Sequence, residues 1–413
     1  MPSKLSLRKN IIWNSSGSFV YLFFQWLVNY LVVLLLGFED AGLFSLAISI
    51  TSVAFAFALY GVRGYQVSDI ARKYSDKSYT ITRLVTCLLA IVGVGIYLII
   101  NSYSVYTMLC ISAYLIFKIS EAYADVYHGI IQRGMRMDYI GKSFILRGVI
   151  TNSLFIICAL LTKDLFLAIA IQAISSFILI FFYDRNKAKE FQDNQNTTSK
   201  RLVLRLLIEC LPLAAYVFLS NLIMSVPRIS LESMQGSEVL GIYASIAIPA
   251  AIIQVVAGFI FSPVLTVFAD HVDKKNFKLF HKLLFKILIY IAAFSSIAIL
   301  GGIVFGHLGL VILFGDQISD YTYLFLPILY ISSLTAFSWF IGLMLTVIRE
   351  FKGLIVSSAI AVTICLVGSG PFITMFGING TSLILILALI VQITIMSIFM
   401  AFKMKKIKRS DRI

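Results

Sequence analysis

The sequence predicts an all-α integral membrane protein with about twelve transmembrane helices, arranged as two six-helix lobes. Hydrophobic residues make up 60% of the chain and charged residues only 13%, whereas soluble domains contain roughly 45–50% and 25%. The apolar residues fall into long runs that short polar segments separate. This composition excludes a soluble enzyme, a disordered protein and a nucleic-acid-binding module, and it makes the lipid bilayer a direct partner of the chain.

Each apolar run has the length of a transmembrane helix, which needs roughly 17–25 residues. The runs are not interrupted by clusters of charge, so each predicts one helix that crosses the bilayer once. In chain order, the predicted spans cover residues 11–36, 43–60, 84–100, 106–128, 144–161, 165–183, 207–231, 239–262, 287–305, 323–348, 354–370 and 381–400.

The basic residues indicate how these spans are oriented. Of the 34 Lys and Arg residues, 31 fall in segments that the span assignment places on the same side of the membrane. Because Lys and Arg are enriched in cytoplasmic loops, both termini are predicted to be cytoplasmic. Anionic headgroups on that side account for the net charge of +14. The basic segments are the N-terminal tail, 61–83, 129–147, 184–206, 268–286, 349–353 and the C-terminal tail.

An internal repeat divides the chain into two halves. GFEDAG at 37–42 follows the first span, and GSEVLG at 236–241 follows the seventh, at an offset of 199 residues. Glycine suits a tight turn because it tolerates a positive φ. Six spans in each half give both halves the same orientation, as in a parallel repeat. The predicted domains are residues 1–183 (N-terminal six-helix lobe), 184–206 (cytoplasmic linker), 207–400 (C-terminal six-helix lobe) and 401–413 (basic cytoplasmic tail).

Enzyme and metal motifs are missing from the sequence. The stretch GMRMDYIGKS at 134–143 has six residues between its glycines, where a phosphate-binding loop has four. The four histidines follow no metal-binding spacing, and the five cysteines contain no CxxC pair. We therefore expect no catalytic residues, no metal site and no cofactor, and we interpret the cysteines as packing residues.

Polar residues inside three spans form stripes at helical spacing. An ionisable side chain at mid-bilayer costs roughly 2.5–3.5 kcal/mol, so such residues should face protein or water. A rotation of about 100° per residue places the members of each stripe on one helix face. The stripes are Asn14, Ser18, Tyr21, Gln25 and Asn29 in span 1; Tyr114, Lys118, Glu121, Asp125, His128 and Gln132 in span 4; and Asn221, Ser225, Arg228 and Glu232 in span 7.

These stripes have structural interpretations as well as functional ones. The span 1 stripe could form hydrogen bonds between helices, and Arg228 could extend toward the outer membrane surface. Lys118 and Glu121 could be an ion pair that holds the bundle together. We favour a water-filled cavity lined by span 4 that opens to the cytoplasm.

Several segments together resemble the polysaccharide transporter family of the MOP flippase superfamily, the bacterial flippases for capsule, O-antigen and teichoic-type repeat units. The resemblance extends over nearly the whole chain. The segments that carry it are NIIWNSSGSFVYLFFQWL (10–27), LLGFEDAGLFSLAIS (35–49), LYGVRGYQVSDIARKYS (59–75), HGIIQRGMRMDYIGKS (128–143), VPRISLESMQGSEVLGIYASIA (226–247) and MFGINGTS (375–382).

The resemblance implies two lobes in a V that open alternately to each face of the bacterial cytoplasmic membrane. It also implies a cargo of oligosaccharide linked to undecaprenyl pyrophosphate or phosphate, and polysaccharide polymerase or assembly proteins as partners. Cationic donors should hold the phosphate and polar side chains the sugar hydroxyls. The phosphate candidates are Lys118 and Arg228, which are expected to be buried, and Arg63, Arg133 and Arg147 at the inner mouth; the sugar candidates are Gln25, Asn29 and Asn221. Arg63 could instead be an ordinary cytoplasmic anchor.

The carboxylates beside Lys118 suggest coupling to a proton or sodium ion. Glu121 is nearer to Lys118 and is interpreted as its counter-ion, which leaves Asp125 as the exchangeable group. Two other classes of function stay open. The same fold could export a drug or another cation, or flip the peptidoglycan precursor, and a membrane polysaccharide polymerase is a third hypothesis.

The orientation can be tested with reporter fusions. Fusions after Lys187 and Lys275 should report the cytoplasm, and fusions after Lys163 and Glu238 the outside, because the basic segments define the cytoplasmic side. A single reversed reporter among these four positions would contradict the twelve-span topology.

Overall fold

A computed structural model describes residues 5–69, 72–192, 198–274 and 276–410, so Lys275, one of the fusion points, lies outside it. The described residues form helices and contain no strand. The α-helices are α1 (Leu7–Leu36), α2 (Phe38–Leu59), α3 (Val62–Ser68), α4 (Asp76–Asn101), α5 (Val105–Arg133), α6 (Met137–Leu146), α7 (Asn152–Thr162), α8 (Leu165–Leu179), α9 (Arg185–Lys189), α10 (Lys200–Gln235), α11 (Ser237–Ala250), α12 (Ile252–Asp273), α13 (Phe277–Phe314), α14 (Phe325–Val347), α15 (Phe351–Phe376) and α16 (Ile378–Ser410).

Three further segments differ from α-helix. A first π-turn, Arg147–Thr151, joins α6 to α7, and a second π-turn, Ile180–Asp184, joins α8 to α9. Each pair therefore forms one span with a local widening of the helix. A 3₁₀ segment, Asp316–Leu324, leads into α14 and occupies part of what the sequence suggested was a long outer loop.

The prediction of an all-α protein with about twelve spans is confirmed. Eleven helices in the described part of the chain are long and apolar enough to cross a membrane, and a bent pair makes a twelfth. That pair joins α11 to α12 at an angle of 43°. Pro249 lies next to the break, where its missing N–H and its ring disrupt the hydrogen-bond ladder of a helix.

Span 3 begins earlier than predicted. The sequence placed its start at residue 84, but α4 begins at Asp76. Ser75 caps the helix, and its hydroxyl accepts a hydrogen bond from the Ser78 N–H at 3.2 Å. The first turns of α4 therefore lie among the other spans, and Arg83 is fully buried. Arg83 had been counted with the cytoplasmic basic loops.

The two glycines of the sequence repeat adopt the same turn. Gly37 has φ 90° and ψ 179°, and Gly236 has φ 88° and ψ 169°. Each N–H closes the preceding helix by bonding a carbonyl four residues earlier, that of Val33 or Glu232. Only glycine adopts this backbone conformation without strain, so the expectation of two glycine turns is confirmed.

The chain divides into two compact units, Met1–Asn221 and Leu222–Ile413. The division falls within α10, so this helix contributes to both. The domain boundaries predicted from the sequence remain predictions. In the first unit, α5 packs against α2, α4 and α8, and in the second unit α16 packs against α14 and α15.

Glycine allows α1 and α6 to pack closely. A Cβ added to Gly17 would lie 2.3 Å from the carbonyl oxygen of Gly141, and one added to Gly141 would lie 2.2 Å from that of Trp13. Both obstacles are backbone atoms, which cannot rotate away. Further along the same span, a Cβ on Gly148 would lie 3.0 Å from the Tyr21 Cα. Small residues are the usual means of close approach between helices in lipid.

We expect Gly141→Ala to destabilise the first unit by about 1–3 kcal/mol, because α1 and α6 must separate to admit the methyl group. Gly93→Ala is the matched control, since an added Cβ at Gly93 has nothing within 4 Å and alanine favours helix. Thermal melting of the purified protein in detergent measures both variants. Equal melting temperatures would contradict the close-packing interpretation.

Candidate functional site

Span 1 and span 4 meet in a group of four polar side chains, Tyr21 and Gln25 of span 1 and Lys118 and Glu121 of span 4. We call Lys118 and Glu121 the mid-span pair. Lys118 Nζ lies 2.8 Å from Glu121 Oε2, and both side chains are mostly buried. The Tyr21 hydroxyl donates to the other Glu121 oxygen, and Gln25 Nε2 donates to the Tyr21 oxygen at 2.5 Å. The structure thus brings together three of the predicted site residues, Lys118, Glu121 and Gln25.

Three aromatic rings surround the Lys118 ammonium. Its Nζ lies 5.4 Å from the ring centre of Phe55, 5.6 Å from that of Tyr114 and 5.1 Å from that of Phe117. The face of an aromatic ring attracts a cation at this distance. Lys118 is therefore stabilised inside the unit by one carboxylate and three rings.

Asp125 lies between two arginines, in a group that we call the arginine clasp (Arg63, Arg83, Asp125 and Gln132). Arg63 Nη1 donates to Asp125 Oδ1 at 3.0 Å, and Arg83 Nη2 donates to Oδ2 at 2.8 Å. Arg63 also donates from Nε and Nη2 to Gln132 Oε1, at 3.1 and 2.9 Å. Helices α3, α4 and α5 each supply part of the clasp, so it holds the three together.

Arg83 was not among the predicted site residues. Its side chain is fully buried, and it also donates from Nη1 to the Ala58 carbonyl at 2.6 Å, where Thr86 donates as well. The signal that could have found it is the Ser75 cap, since a helix that starts at Asp76 places Arg83 two turns inside the span.

A third group, which we call the buried polar cluster (His128, Ser143, Arg147, Ser176 and Asp184), lies near the predicted cytoplasmic ends of spans 4, 5 and 6. Asp184 accepts from Arg147 Nη2 at 2.6 Å and contacts His128 Nε2 at 3.1 Å. His128 Nε2 also lies 3.2 Å from the Ser143 hydroxyl, and Arg147 Nη1 donates to Ser176 at 2.7 Å. Because Ser143 and Asp184 contact the same ring nitrogen, this is not the arrangement of a nucleophile, base and orienting acid.

The prediction that Arg147 lies at the inner mouth is wrong, because Arg147 belongs to the buried polar cluster. Arg147 is buried and bonds Asp184 and Ser176 of span 6. It begins the first π-turn, and Asp184 ends the second. A π-turn shifts the face of the residues that follow it, so regular helical spacing fails here. Arg133, the other inner-mouth candidate, pairs with Asp76.

The remaining predicted residues do not join these groups. Asn29 donates to the Gln25 carbonyl at 2.8 Å and Asn221 to the Val217 carbonyl at 2.9 Å, each within its own helix. Arg228 lies in the second unit, is half-buried, and its Nε has no hydrogen-bond partner.

Sequence reasoning also missed a cluster around Glu209, at the start of α10. Glu209 pairs with Lys73 at 2.6 Å and Arg205 at 3.1 Å, and it accepts hydrogen bonds from the hydroxyls of Tyr65 and Tyr74. The carboxylate raises the pKa of Lys73 above its ordinary value, since it stabilises the charged ammonium. The cluster ties α10 to the segment that follows α3.

The chemistry of these groups is that of binding and charge compensation. Across the described ranges, no three His, Cys, Asp or Glu side chains converge as ligands for a metal ion. The mid-span pair offers hydrogen bonds and one cation within the spans. The clasp offers a half-buried guanidinium at the edge of the helices, because 25% of the Arg63 side chain is exposed.

Comparison with known proteins gives the family and the fold. The family described as "Polysaccharide biosynthesis protein" matches residues 7–268. The capsular polysaccharide biosynthesis protein CapF of Staphylococcus aureus is 26% identical over 303 residues, which are 70% of this chain and 73% of that protein.

Solved structures with the same fold are membrane transporters. A multidrug resistance MATE family transporter of the MOP superfamily, in an inward-facing conformation, matches with a TM-score of 0.68 at 14% identity over 97% of this chain and 99% of that one. The lipid II flippase MurJ, in an inward closed conformation, matches with a TM-score of 0.70 at 13% identity over 94% and 86%. The resemblance found in the sequence is thereby confirmed: the chain belongs to the polysaccharide biosynthesis protein family and has the fold of the MOP superfamily transporters.

Proposed function

We propose that the protein is a bacterial flippase that moves lipid-linked oligosaccharide repeat units across the cytoplasmic membrane by alternating access, for surface polysaccharide biosynthesis. Three findings support this cargo. The family is described by polysaccharide biosynthesis, the Staphylococcus aureus relative is named for capsular polysaccharide, and the fold is shared with a flippase for another lipid-linked precursor.

The observation that carries the proposal is the polar face that α1 and α5 share within the spans. Sugar hydroxyls need hydrogen-bonding partners and phosphate needs cations, whereas an isoprenoid tail needs only lipid. Tyr21 and Gln25 supply hydrogen bonds beside Lys118, and Asn29 continues the face by one turn. We assign cargo contacts to Lys118, Arg228, Gln25, Asn29, Asn221 and Arg63.

The environment of the cargo follows from this assignment. The isoprenoid tail remains in the bilayer while the head group passes through the protein. Both termini lie in the cytoplasm, and the cargo is loaded from that side. A polysaccharide polymerase or other assembly protein takes up the cargo on the outer side.

The contacts suggest a different coupling residue from the one expected. Asp125 has two guanidinium partners, so its negative charge is strongly compensated. Glu121 has one ammonium and a tyrosine hydroxyl. We therefore assign the exchange of a proton or sodium ion to Glu121.

One observation favours a second candidate function, the export of an organic cation. Three aromatic rings and a carboxylate surround the Lys118 ammonium, and such a cage suits a ligand cation equally well. The fold match to a multidrug transporter agrees with it. Ion-dependent efflux of a hydrophobic dye cation from cells that express the protein would support this function, and its absence would favour the flippase.

Lys118→Ala should abolish surface polysaccharide while the amount of protein in the membrane stays normal, because the phosphate loses its cation within the spans. Lys118→Arg should keep part of the activity, since it keeps the charge. Complementation of a deletion strain, with immunoblots of the surface polysaccharide and of the membrane protein, measures both variants. Full activity of Lys118→Ala would exclude a cargo contact.

Two controls separate this role from simple ion pairing. Lys163→Ala removes an exposed lysine whose ammonium donates to the Leu35 carbonyl and should be fully active. In the double variant Lys118→Ala/Glu121→Gln no unpaired carboxylate is left behind. The reference for the double variant is Glu121→Gln alone, because both lack the same carboxylate. If Lys118 serves only as the counter-ion of Glu121, the two variants have equal activity; if Lys118 contacts cargo, the double variant is less active.

Glu121→Gln should remove the dependence of transport on an ion gradient, because an amide cannot exchange a proton or bind sodium by charge. Reconstituted protein that flips a fluorescent prenyl diphosphate sugar, with and without an imposed gradient, gives the measurement. Glu190→Gln is the matched control, because Glu190 also pairs with a lysine three residues away, at 2.7 Å, but lies outside the spans, and it should keep the gradient response. A gradient response in Glu121→Gln equal to that of the wild type would contradict this assignment.

A further inference from the structure

The arginine clasp contains more positive than negative charge. Two guanidinium groups share the single carboxylate of Asp125, and each of its oxygens accepts from one of them. Arg133, further along α5, pairs with a different carboxylate, that of Asp76. One positive charge of the clasp is therefore uncompensated, and in surroundings of low dielectric such a charge attracts an anion strongly.

Arg63 is the member of the clasp that an anion can reach. A guanidinium has five N–H donors, and Arg63 uses three of them, one to Asp125 and two to Gln132. Two donors remain, and 25% of the side chain is exposed. Arg83 is fully buried and can act only through Asp125.

The clasp and the helix turn beside it leave buried polar atoms unsatisfied. Arg83 Nε has no hydrogen-bond partner, and neither amide atom of Gln66 has one, although both side chains are fully buried. Gln66 lies one turn after Arg63 on α3, pressed against Gly129 of α5. An unsatisfied buried polar atom costs about 1–3 kcal/mol, so the junction of α3 and α5 holds polar groups that its own contacts do not use.

We propose that the arginine clasp binds a phosphate group and that Asp125 is a built-in competitor for it. The incoming phosphate replaces Asp125 on Arg63, while Asp125 stays on Arg83. Asp125 later returns to Arg63 and displaces the phosphate. This inference rests on the proposed function, since it takes the phosphate of a lipid-linked cargo as the anion.

The competitor explains how an arginine can bind phosphate and still release it. Carboxylate and phosphate oxygens both fit the planar fork of a guanidinium. Asp125 is tethered 3.0 Å from Arg63, so it competes at a high effective concentration, as any linked ligand does. A carrier must hold its cargo firmly enough to load it and weakly enough to unload it, and a tethered carboxylate limits the affinity from within.

This mechanism predicts opposite effects for the two partners of one ion pair. Asp125→Asn should bind a prenyl diphosphate about tenfold more tightly than the wild type, because the competing charge is gone while the amide still accepts from Arg83. Arg63→Gln should lose most of the binding, and Arg63→Lys should keep a part of it. A purely structural clasp predicts no gain in affinity for any variant.

The test uses the full chain in lipid nanodiscs, with geranylgeranyl diphosphate and inorganic pyrophosphate as probes and isothermal titration calorimetry as the readout. Equal affinities mean that the clasp recognises phosphate from any source. Tighter binding of the prenyl compound means that it recognises phosphate on a lipid. Both results support a phosphate site, and equal binding by Arg63→Gln and the wild type overturns it.

Asp138→Asn is the matched control, because it removes the carboxylate from Arg136, an arginine outside the clasp, and raises the net charge equally. If the control tightens binding as much as Asp125→Asn does, the change in net charge explains the gain, and the proposal that Asp125 competes with phosphate is refuted. If Asp125→Asn folds poorly, the affinity of Arg63→Gln still tests whether the clasp binds phosphate, since this variant keeps the ion pair between Arg83 and Asp125.

The failure of this inference can be told from a failure of the proposed function. In one outcome, the wild type restores surface polysaccharide and binds prenyl diphosphate while Arg63→Gln binds it equally well. That result supports the flippase function and shows that the clasp does not bind the phosphate. A wild type that binds neither probe and restores no polysaccharide overturns both.

Discussion

A charge within the lipid-embedded part of this chain has no bulk water to solvate it, so it needs a partner inside the protein. In the first unit, one face of α5 meets this constraint. Its Lys118 and Glu121 pair with each other beside α1, its Asp125 joins Arg63 and Arg83, and its His128 joins Asp184. The packing of the first unit around α5 depends on these contacts, because moving α3, α4 or the span that carries Asp184 away would leave a charge without its partner.

The two units share a scaffold but differ in their chemistry. Both have a glycine turn with φ close to 90° at matching positions of the repeat. In the residues described for the second unit, neutral contacts join helices within the spans, such as those of Gln392 with Ser338 and Ser358. Its ion pair between helices, Lys403 with Glu350, lies where α15 begins. The charges that proposals of binding and coupling require are therefore concentrated in the first unit, and Arg228 is the cation that the second unit adds within α10.

The sequence was sufficient for whatever depends on periodicity and hydropathy. The spans, the glycine turns and the stripe of α5 follow from these patterns, because lipid imposes them on every helix. Partners across helices did not follow. Asp125 was interpreted as exchangeable because Glu121 lies nearer to Lys118, but the two guanidinium partners of Asp125 come from other helices. Arg147 was placed at the inner mouth, but its partners Asp184 and Ser176 come from another span. Tertiary contacts of this kind have no signal in the spacing of one helix.

The two π-turns have a consequence for the history of this chain. A π-turn holds one residue more than a regular helix, so a relative with ordinary helices here would align with a single-residue gap in each span. In span 6 the second π-turn separates Ser176 from Asp184, and Arg147 contacts both. Losing the extra residue would rotate these two side chains by about 100° relative to each other, so Arg147 would lose one of its partners. A relative without the second π-turn is therefore expected to differ at Arg147, Ser176 or Asp184 as well.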